Sequence, residues 1–510
     1  MKILFRTATL FLAATIAAAH ELVPLSVRAP ELPPAVTGDG ASGGGVFVAG
    51  DTEPNQYVIF SSGAANLVTN SVPPGVVNVY RRDRLEQRTE LLSLTTSGEV
   101  GTRPVVDFSA TRAGHRVAFV WGSNDTSAGD TNQSQDVYLW DATTRTTRLV
   151  SARADGLGAG NGDSKAPALA EGGRFVAFES TATDLVSGAE DTNLAEDIFL
   201  RDLDTGVTEL ISATSSGRTG DRPSQRPLVS ADGSRVVFVS ESATLAPLEE
   251  LATDLIVWNR GGSELQRVVL PRGILPPPRP PLIVAEPVLS ADGQYLAFTV
   301  TASSSVPSAT SGVWWMDLST GDVRRASESL PVPDLAVTEG PSMSEDGRTL
   351  AFTVWVGNPQ PSLAQVRLWT PEGGLKTMTE WQLTVPPTGG EPAESLRPIL
   401  AGNAASLIFF TTRPVPEAGV DEDDGNARLY HRVLATGQTR LVAEENVVFA
   451  GEISPDGGSV LWETTDPLLD PGDDNRTLDV VITRLSDGHR EVVSVIAPRE
   501  GPAVAVGSST

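Results

Sequence analysis

The sequence predicts an all-β fold, an eight-bladed β-propeller of four-stranded antiparallel blades, and three observations carry that prediction. An apolar and aromatic strand pattern recurs eight times at a steady period. Asp-Gly turns precede the clearest copies, and a second strand-like run follows every copy. Repeats are sought first because length alone would divide 510 residues into several average domains, a division that internal repetition overrides.

Four copies are plain: LVSADGSRVVFVS (228–240), VLSADGQYLAFTV (288–300), SMSEDGRTLAFTV (342–354) and EISPDGGSVLWET (452–464). Each has an apolar entry, a serine, an Asp-Gly turn and an alternating apolar run. Gly tolerates the positive φ of a tight hairpin turn, so Asp-Gly between two such runs signals a hairpin. Looser copies lie at 55–62, 114–121, 173–180 and 405–412. The aromatic anchors are Phe60, Phe119, Phe178, Phe238, Phe298, Phe352, Phe409 and Trp462, spaced by 59, 59, 60, 60, 54, 57 and 53 residues.

The second run reads NVYRRD (78–83), DVYLWD (136–141), DIFLRD (197–202), DLIVWN (254–259), GVWWMD (312–317), VRLWTP (366–371), RLYHRV (428–433) and DVVITR (479–484). Its β-branched and aromatic content predicts a strand with both faces apolar, as Ile256, Val257 and Trp258 show. That composition suits a sheet packed between two neighbours. A Gly turn and a short apolar strand then close the unit, as in TELIS (208–212) and REVVSV (490–495). Four strands in roughly 55 residues make one propeller blade. Seven blades with an irregular closing blade is the alternative count. The first strand is expected at Val46–Ala49, and Ala503–Val506 in the tail offers a strand that could close the ring.

The Ser-x-Asp-Gly-x-x-Leu-Ala-Phe signature resembles the TolB-type, WD-repeat-like propeller repeat of bacterial envelope proteins. Its best copies run Ser230–Phe238, Ser290–Phe298, Ser344–Phe352 and Ser454–Trp462, and the resemblance covers residues 46–495. It implies a propeller architecture and leaves activity open. The family's namesake adds an N-terminal α/β domain, for which residues 20–45 are too few.

Outside the repeats, residues 1–19 have the form of a secretory signal peptide. Lys2 and Arg6 lead an apolar stretch from Ala8 to Ala18, and Ala17-Ala18-Ala19 supplies the small residues for cleavage. That stretch is short of the ~20 apolar residues a membrane span needs. Residues 20–45 read as a flexible lead-in and 496–510 as a tail. The chain has no cysteine, which excludes disulfides and thiol chemistry. Export without disulfides points to a bacterial periplasmic or secreted protein. A net charge of −26 argues against nucleic acid and anionic lipid and suits cations or a basic partner.

The loops before the third strands carry the candidate metal ligands. Residues 130–136 place Asp130, Asn132, Ser134 and Asp136 at alternate positions, and residues 473–479 do the same with Asp473, Asn475, Thr477 and Asp479. A third copy offers Asp191, Asn193 and Asp197. Oxygen ligands at positions 1, 3, 5 and 7 match the start of a calcium loop, and a calcium held there would stabilise the fold. The competing role, and the commoner one, is turn capping, for which Asp and Asn are well suited. The loops also lack the Glu at position 12 and the Gly at position 6 of a calcium-binding helix–loop–helix. No cofactor is otherwise required.

The third strands offer a column of Arg82, Trp140, Arg201, Trp258, Met316, Trp369 and Arg432, from which stacking of each Arg on a neighbouring blade's Trp is expected. Catalytic constellations are harder to assemble. His20, His115, His431 and His489 fall far apart with no ligand spacing. Sugar-lyase relatives of this propeller class use clustered histidines and a metal, and no such cluster forms here. The one G-x-S-x-G match, Gly40–Gly44, lies in the glycine-rich lead-in and not between a strand and a helix, so it is no nucleophile elbow. The expected function is a non-enzymatic exported scaffold that binds a protein or glycan on the face carrying the blade connections and second-to-third-strand loops. The rival is a carbohydrate- or ester-directed hydrolase or lyase, metal-assisted, with its site in the central channel.

Overall fold

The computed structural model describes residues 42–48, 56–95, 98–121, 132–191, 193–245, 254–262, 264–270, 282–302, 312–327, 335–337, 341–356, 363–377, 397–411, 415–420, 428–444, 447–465 and 477–495. Residues 1–19, read above as a signal peptide, most of the expected lead-in, the tail with Ala503–Val506 and residues 271–281 lie outside them. Eight antiparallel sheets follow one another along the chain, confirming the eight-bladed propeller. Blade 3 shows the unit: Ser164–Leu169, Phe175–Ser180, Asp197–Asp202 and Val207–Leu210, each paired with the next. Blade 6 varies it, since Leu335–Val337 and Ser342–Met343 share the place of the first strand.

The second and third strands form the dry centre of each blade because both their faces meet neighbouring blades. Phe60, Phe119, Phe178, Phe238, Phe298, Phe352 and Phe409 are fully buried, and Trp462 nearly so. Several anchors stack on an aromatic residue directly across the ladder: Phe60 on Tyr80 (5.6 Å), Phe178 on Phe199 (5.8 Å) and Phe409 on Tyr430 (5.4 Å). Such pairs add ~0.5–1.5 kcal/mol beyond burial. Eight apolar clusters result, one per blade interface. The last joins Leu461, Val480, Ile482 and Val493 of blade 8 to Val58, Phe60, Tyr80 and Leu91 of blade 1.

Ring closure therefore uses core packing between two complete blades. Blade 1 takes its first strand from Ser42–Val48 and blade 8 ends with Arg490–Val492, each from its own stretch of chain. The first strand begins four residues before the expected Val46. Ser42 and Gly43 pair with Ser62 and Ser61, and a bulge then carries the chain to Val46 opposite Ile59. A Gly-rich segment gives no apolar alternation to reveal such pairing.

Ser-x-Asp-Gly builds the tip between the first two strands. Ser230 Oγ donates to Asp232 Oδ1 (2.7 Å), which accepts the Ser234 amide (2.9 Å), while Ser230 Oγ accepts the Arg235 amide (3.0 Å). The Ser–Asp bond recurs at 290/292, 344/346 and 454/456, each 2.6 Å. Gly233 has φ +69° and lies so close to Phe175 of blade 3 that a Cβ would sit 2.2 Å from its ring. Only glycine serves there.

Adjacent tips are bonded backbone to backbone. Gly172 donates to Ala231, Ala231 to Ala291, Ala291 to Glu345, Glu345 to Gly402 and Asn403 to Pro455, at 2.8–3.1 Å. This arc runs from blade 3 to blade 8. Ala, Glu and Pro all serve at the variable position of the motif because the residue takes part through its backbone.

The expected Arg–Trp stacking in the third-strand column is not what these arginines do. Arg82, Arg201 and Arg432 donate instead to Thr89 (3.2 Å), Thr208 (2.9 Å) and Thr439 (2.7 Å), the residues directly opposite on the fourth strand. A guanidinium leaving water needs acceptors more than a ring face. The stack on Trp140 comes from Arg81, one residue out of the column, at 4.7 Å.

Candidate functional site

An antiparallel four-stranded blade presents its hairpin turns on one face of the ring and its second-to-third-strand loops and blade connections on the other. First strands of successive blades contact one another, so they line the axis. The chain is an eight-bladed propeller, and each face offers a candidate site.

On the turn face the tips converge on the axis. Arg112, at the blade 2 tip, places Nη1 2.6 Å from Glu345 Oε1 of blade 6, across the ring. Its amide donates to Glu171 Oε1 of blade 3 (2.8 Å), and its Nε lies 3.9 Å from Glu171 Oε2. Burial, with Glu345 adding to it, raises the Glu171 carboxyl above the ordinary range. These residues occupy the variable motif position, which sequence reasoning passed over. Its opposite charges in blades 2, 3 and 6 were the available signal.

Beside this mouth a cleft of about 710 Å³ opens over blade 8 and the seam with blade 1. Turns of three blades line it: Arg84 and Leu85 of blade 1, Ser406, His431 and Arg440 of blade 7, and Asp456, Arg484 and Glu491 of blade 8. Arg84 Nε pairs with Glu491 Oε2 at 2.8 Å, and Gln87 donates to the other oxygen at 3.4 Å. Leu85 stands on the lip at 61% exposure. His431, only 3% exposed, accepts the Arg440 Nε–H on Nδ1 at 3.2 Å. Burial, and then Arg440, lower its pKa to about 4, so the ring is neutral at physiological pH.

On the loop face lie the sequence-predicted ligands. Asp130, Asp473 and Asn475 fall outside the described residues, so the loops are described in part. Asn132 donates through Nδ2 to Asp136 Oδ2 (3.1 Å) and Gly160 O (2.6 Å) and accepts the Ser134 amide on Oδ1 (2.8 Å). Asp191 accepts the amides of Asn193 and Leu194, both at 3.0 Å, and Asn193 donates to Gly220 O (2.9 Å). The amide bonds accepted by Asn132 and Asp191 cap turns, and the bonds to Gly160 and Gly220 tie each loop to the following blade connection.

The strand-initial acids have a separate and repeated partner. Ser151 donates to Asp136 (2.6 Å), Ser212 to Asp197 (2.7 Å) and Ser494 to Asp479 (2.7 Å). In blade 1 the same place is held by Asn78, which accepts from Ser93 at 2.8 Å. Each serine stands fifteen residues after its acid and ties the third strand to the chain leaving the fourth. Burial raises Asp197 to about 7. Thr477 leads into Asp479 on the same loop. A smaller cleft of about 360 Å³ includes Ser134, Lys165 and Glu196 in its lining, with Lys165 paired to Glu196 at 3.0 Å. Among the described residues, no three His, Asp or Glu side chains group as metal ligands.

No protein-family model and no curated protein matches the sequence. Solved structures of similar fold include dipeptidyl peptidase 4 from Porphyromonas gingivalis, at 11% identity and TM-score 0.55, covering 91% of this chain and 60% of that one. TolB from Acinetobacter baumannii matches at 17% identity and TM-score 0.32, over 59% of this chain and 58% of its own. Oligogalacturonate lyase from Vibrio parahaemolyticus matches at 12% identity and TM-score 0.43, over 86% and 97%. This chain thus spans about three fifths of the first two. At these identities the likeness is one of fold.

Proposed function

We propose that the protein is an exported, non-enzymatic scaffold that binds a protein or glycan partner on its turn face, at the cleft over the seam. The observation that carries this reading is the cleft itself. It holds about 710 Å³, within the range of ligand sites, and has an exposed leucine at its lip. It lies on the face opposite the loops from which binding was expected.

The rival is a hydrolase or lyase at the channel. Glu171 and Glu345, two carboxylates at the tips on the turn face, are held by Arg112, an arrangement that suits closure better than acid–base work. Export follows from the reading of residues 1–19 as a signal peptide, and no helix among the described residues is long and apolar enough to cross a membrane.

The test pairs binding with turnover. The full chain and its Leu85→Asp variant are titrated with a peptide library and an oligosaccharide panel, and both are assayed on chromogenic esters and polyuronates. Saturable binding that Leu85→Asp weakens, without turnover, supports the scaffold. Turnover that survives Leu85→Asp overturns it in favour of a channel enzyme.

A further inference from the structure

We infer that the seam cleft recognises the carboxylate of an extended peptide, held by Arg440 and His431. This rests on the cleft being the binding site and specifies what it binds.

The argument turns on hydrogen-bond donors without acceptors. His431 Nδ1 accepts from Arg440, so the single proton of the neutral ring lies on Nε2. That Nε2–H is buried and has no acceptor among the described residues. Arg440 gives its Nε–H to the histidine, and among the described residues no carboxylate pairs with its remaining donors. Burial lowers its pKa with no acid to offset the effect. The buried Nε2–H left unmade is costly, and the half-buried Arg440 lines the cleft with its remaining donors. Both groups lack the same thing, an acceptor, and the fork of Arg440 is shaped for a two-oxygen anion.

The surroundings agree. Arg84, Arg440 and Arg484 line the cleft against Asp456 and Glu491, a local excess of positive charge in a chain of net charge −26. Leu85, Val433 and Leu485 supply apolar contact, and among the described residues the lining contains no Phe, Tyr or Trp ring on which a sugar would stack. A peptide with an apolar side chain beside its carboxylate fits both features.

The probes are acetyl-Leu-Leu with a free C-terminus, its C-terminal amide, acetyl-Leu-Glu amide, and tri-galacturonate. The readout is the ring-nitrogen spectrum of the full chain carrying labelled histidine, whose four histidines give eight ring signals. The inference expects the carboxylate peptides to shift His431 Nε2 and the dileucine amide to leave it in place. A free C-terminus and a Glu side chain are told apart by which of the two acids binds tighter. Arg440→Gln should weaken binding by about tenfold or more, with Arg440→Lys recovering part of the loss. Equal binding of acid and amide, both weakened by Leu85→Asp, would overturn the carboxylate claim and leave the cleft as a docking site. If none of the four probes binds, both readings fall; a shift caused by tri-galacturonate alone overturns the peptide inference and keeps the cleft as a glycan-binding site.

Discussion

The interfaces inside the ring and the seam that closes it share a core but differ at the rim. Between blades 2 and 3, Arg116 donates to Gly173 O (2.6 Å) and Arg148 to Leu203 O (3.0 Å). Arg81 does the same to Gly114 O between blades 1 and 2 (3.0 Å), and Arg490 to Val442 O between blades 7 and 8 (2.6 Å). At the seam the core is as complete as elsewhere, yet the rim arginine, Arg84, reaches a carboxylate, Glu491. Core packing alone can thus close a ring.

The largest effect should come from the cores. Phe60→Ala at the seam and Phe178→Ala between blades 2 and 3 should each cost about 3–5 kcal/mol, measured by chemical denaturation. Equal losses would establish the seam as an ordinary interface. A much smaller loss for Phe60→Ala would show a ring that opens there before it unfolds. Next comes the rim. Arg84→Ala leaves Glu491, 4% exposed, with only the longer bond from Gln87, and should cost about 1–3 kcal/mol. An unchanged midpoint would contradict a rim that stabilises the seam.

Two buried groups make opposite pH contributions. Asp197, raised to about 7, is protonated in the fold over a range where the unfolded chain is ionised. Its contribution is full below the ordinary carboxylate pKa of 3.8 and is lost as pH rises through about 7. His431, lowered to about 4, stays neutral while the unfolded chain takes up a proton below 6.5, so stability falls as pH drops from 6.5 toward 4. Asp197→Asn should be tolerated, as Asn78 holds that place in blade 1, and should flatten the decline between pH 4 and 7. A steep decline in that variant would assign the titration elsewhere.

The smallest effects lie at exposed sites. Arg112→Ala, at a half-exposed pair, should change stability by about 1 kcal/mol or less, and less still in high salt. Thermal unfolding in chelator and in excess calcium should agree closely if the loop aspartates only cap turns. An upward shift absent with magnesium, and lost in Asp473→Ala/Asp479→Ala, would make them calcium ligands.

The architecture was legible because it depends on features that repeat. Eight anchors and four Ser-x-Asp-Gly tips each do the same physical work in every copy, so their period announces them. The clefts and the channel mouth were not legible, for the opposite reason. Arg112 meets Glu345 and Arg84 meets Glu491 only because the ring brings residues hundreds of positions apart together, and each pair occurs once. The loop aspartates were the nearest miss. Their spacing was visible, but the serine fifteen residues on, which occupies Asp136, Asp197 and Asp479, became visible only with the fourth strand in place.

The claim that the turn face binds is tested most directly by photo-crosslinking in the cells that make the protein. One variant carries the crosslinking residue at Leu85, on the cleft lip, and another at Leu194, still more exposed on the loop face. A discrete adduct from position 85, absent from position 194, is predicted. An adduct from position 194 alone would place the partner on the opposite face and contradict the account.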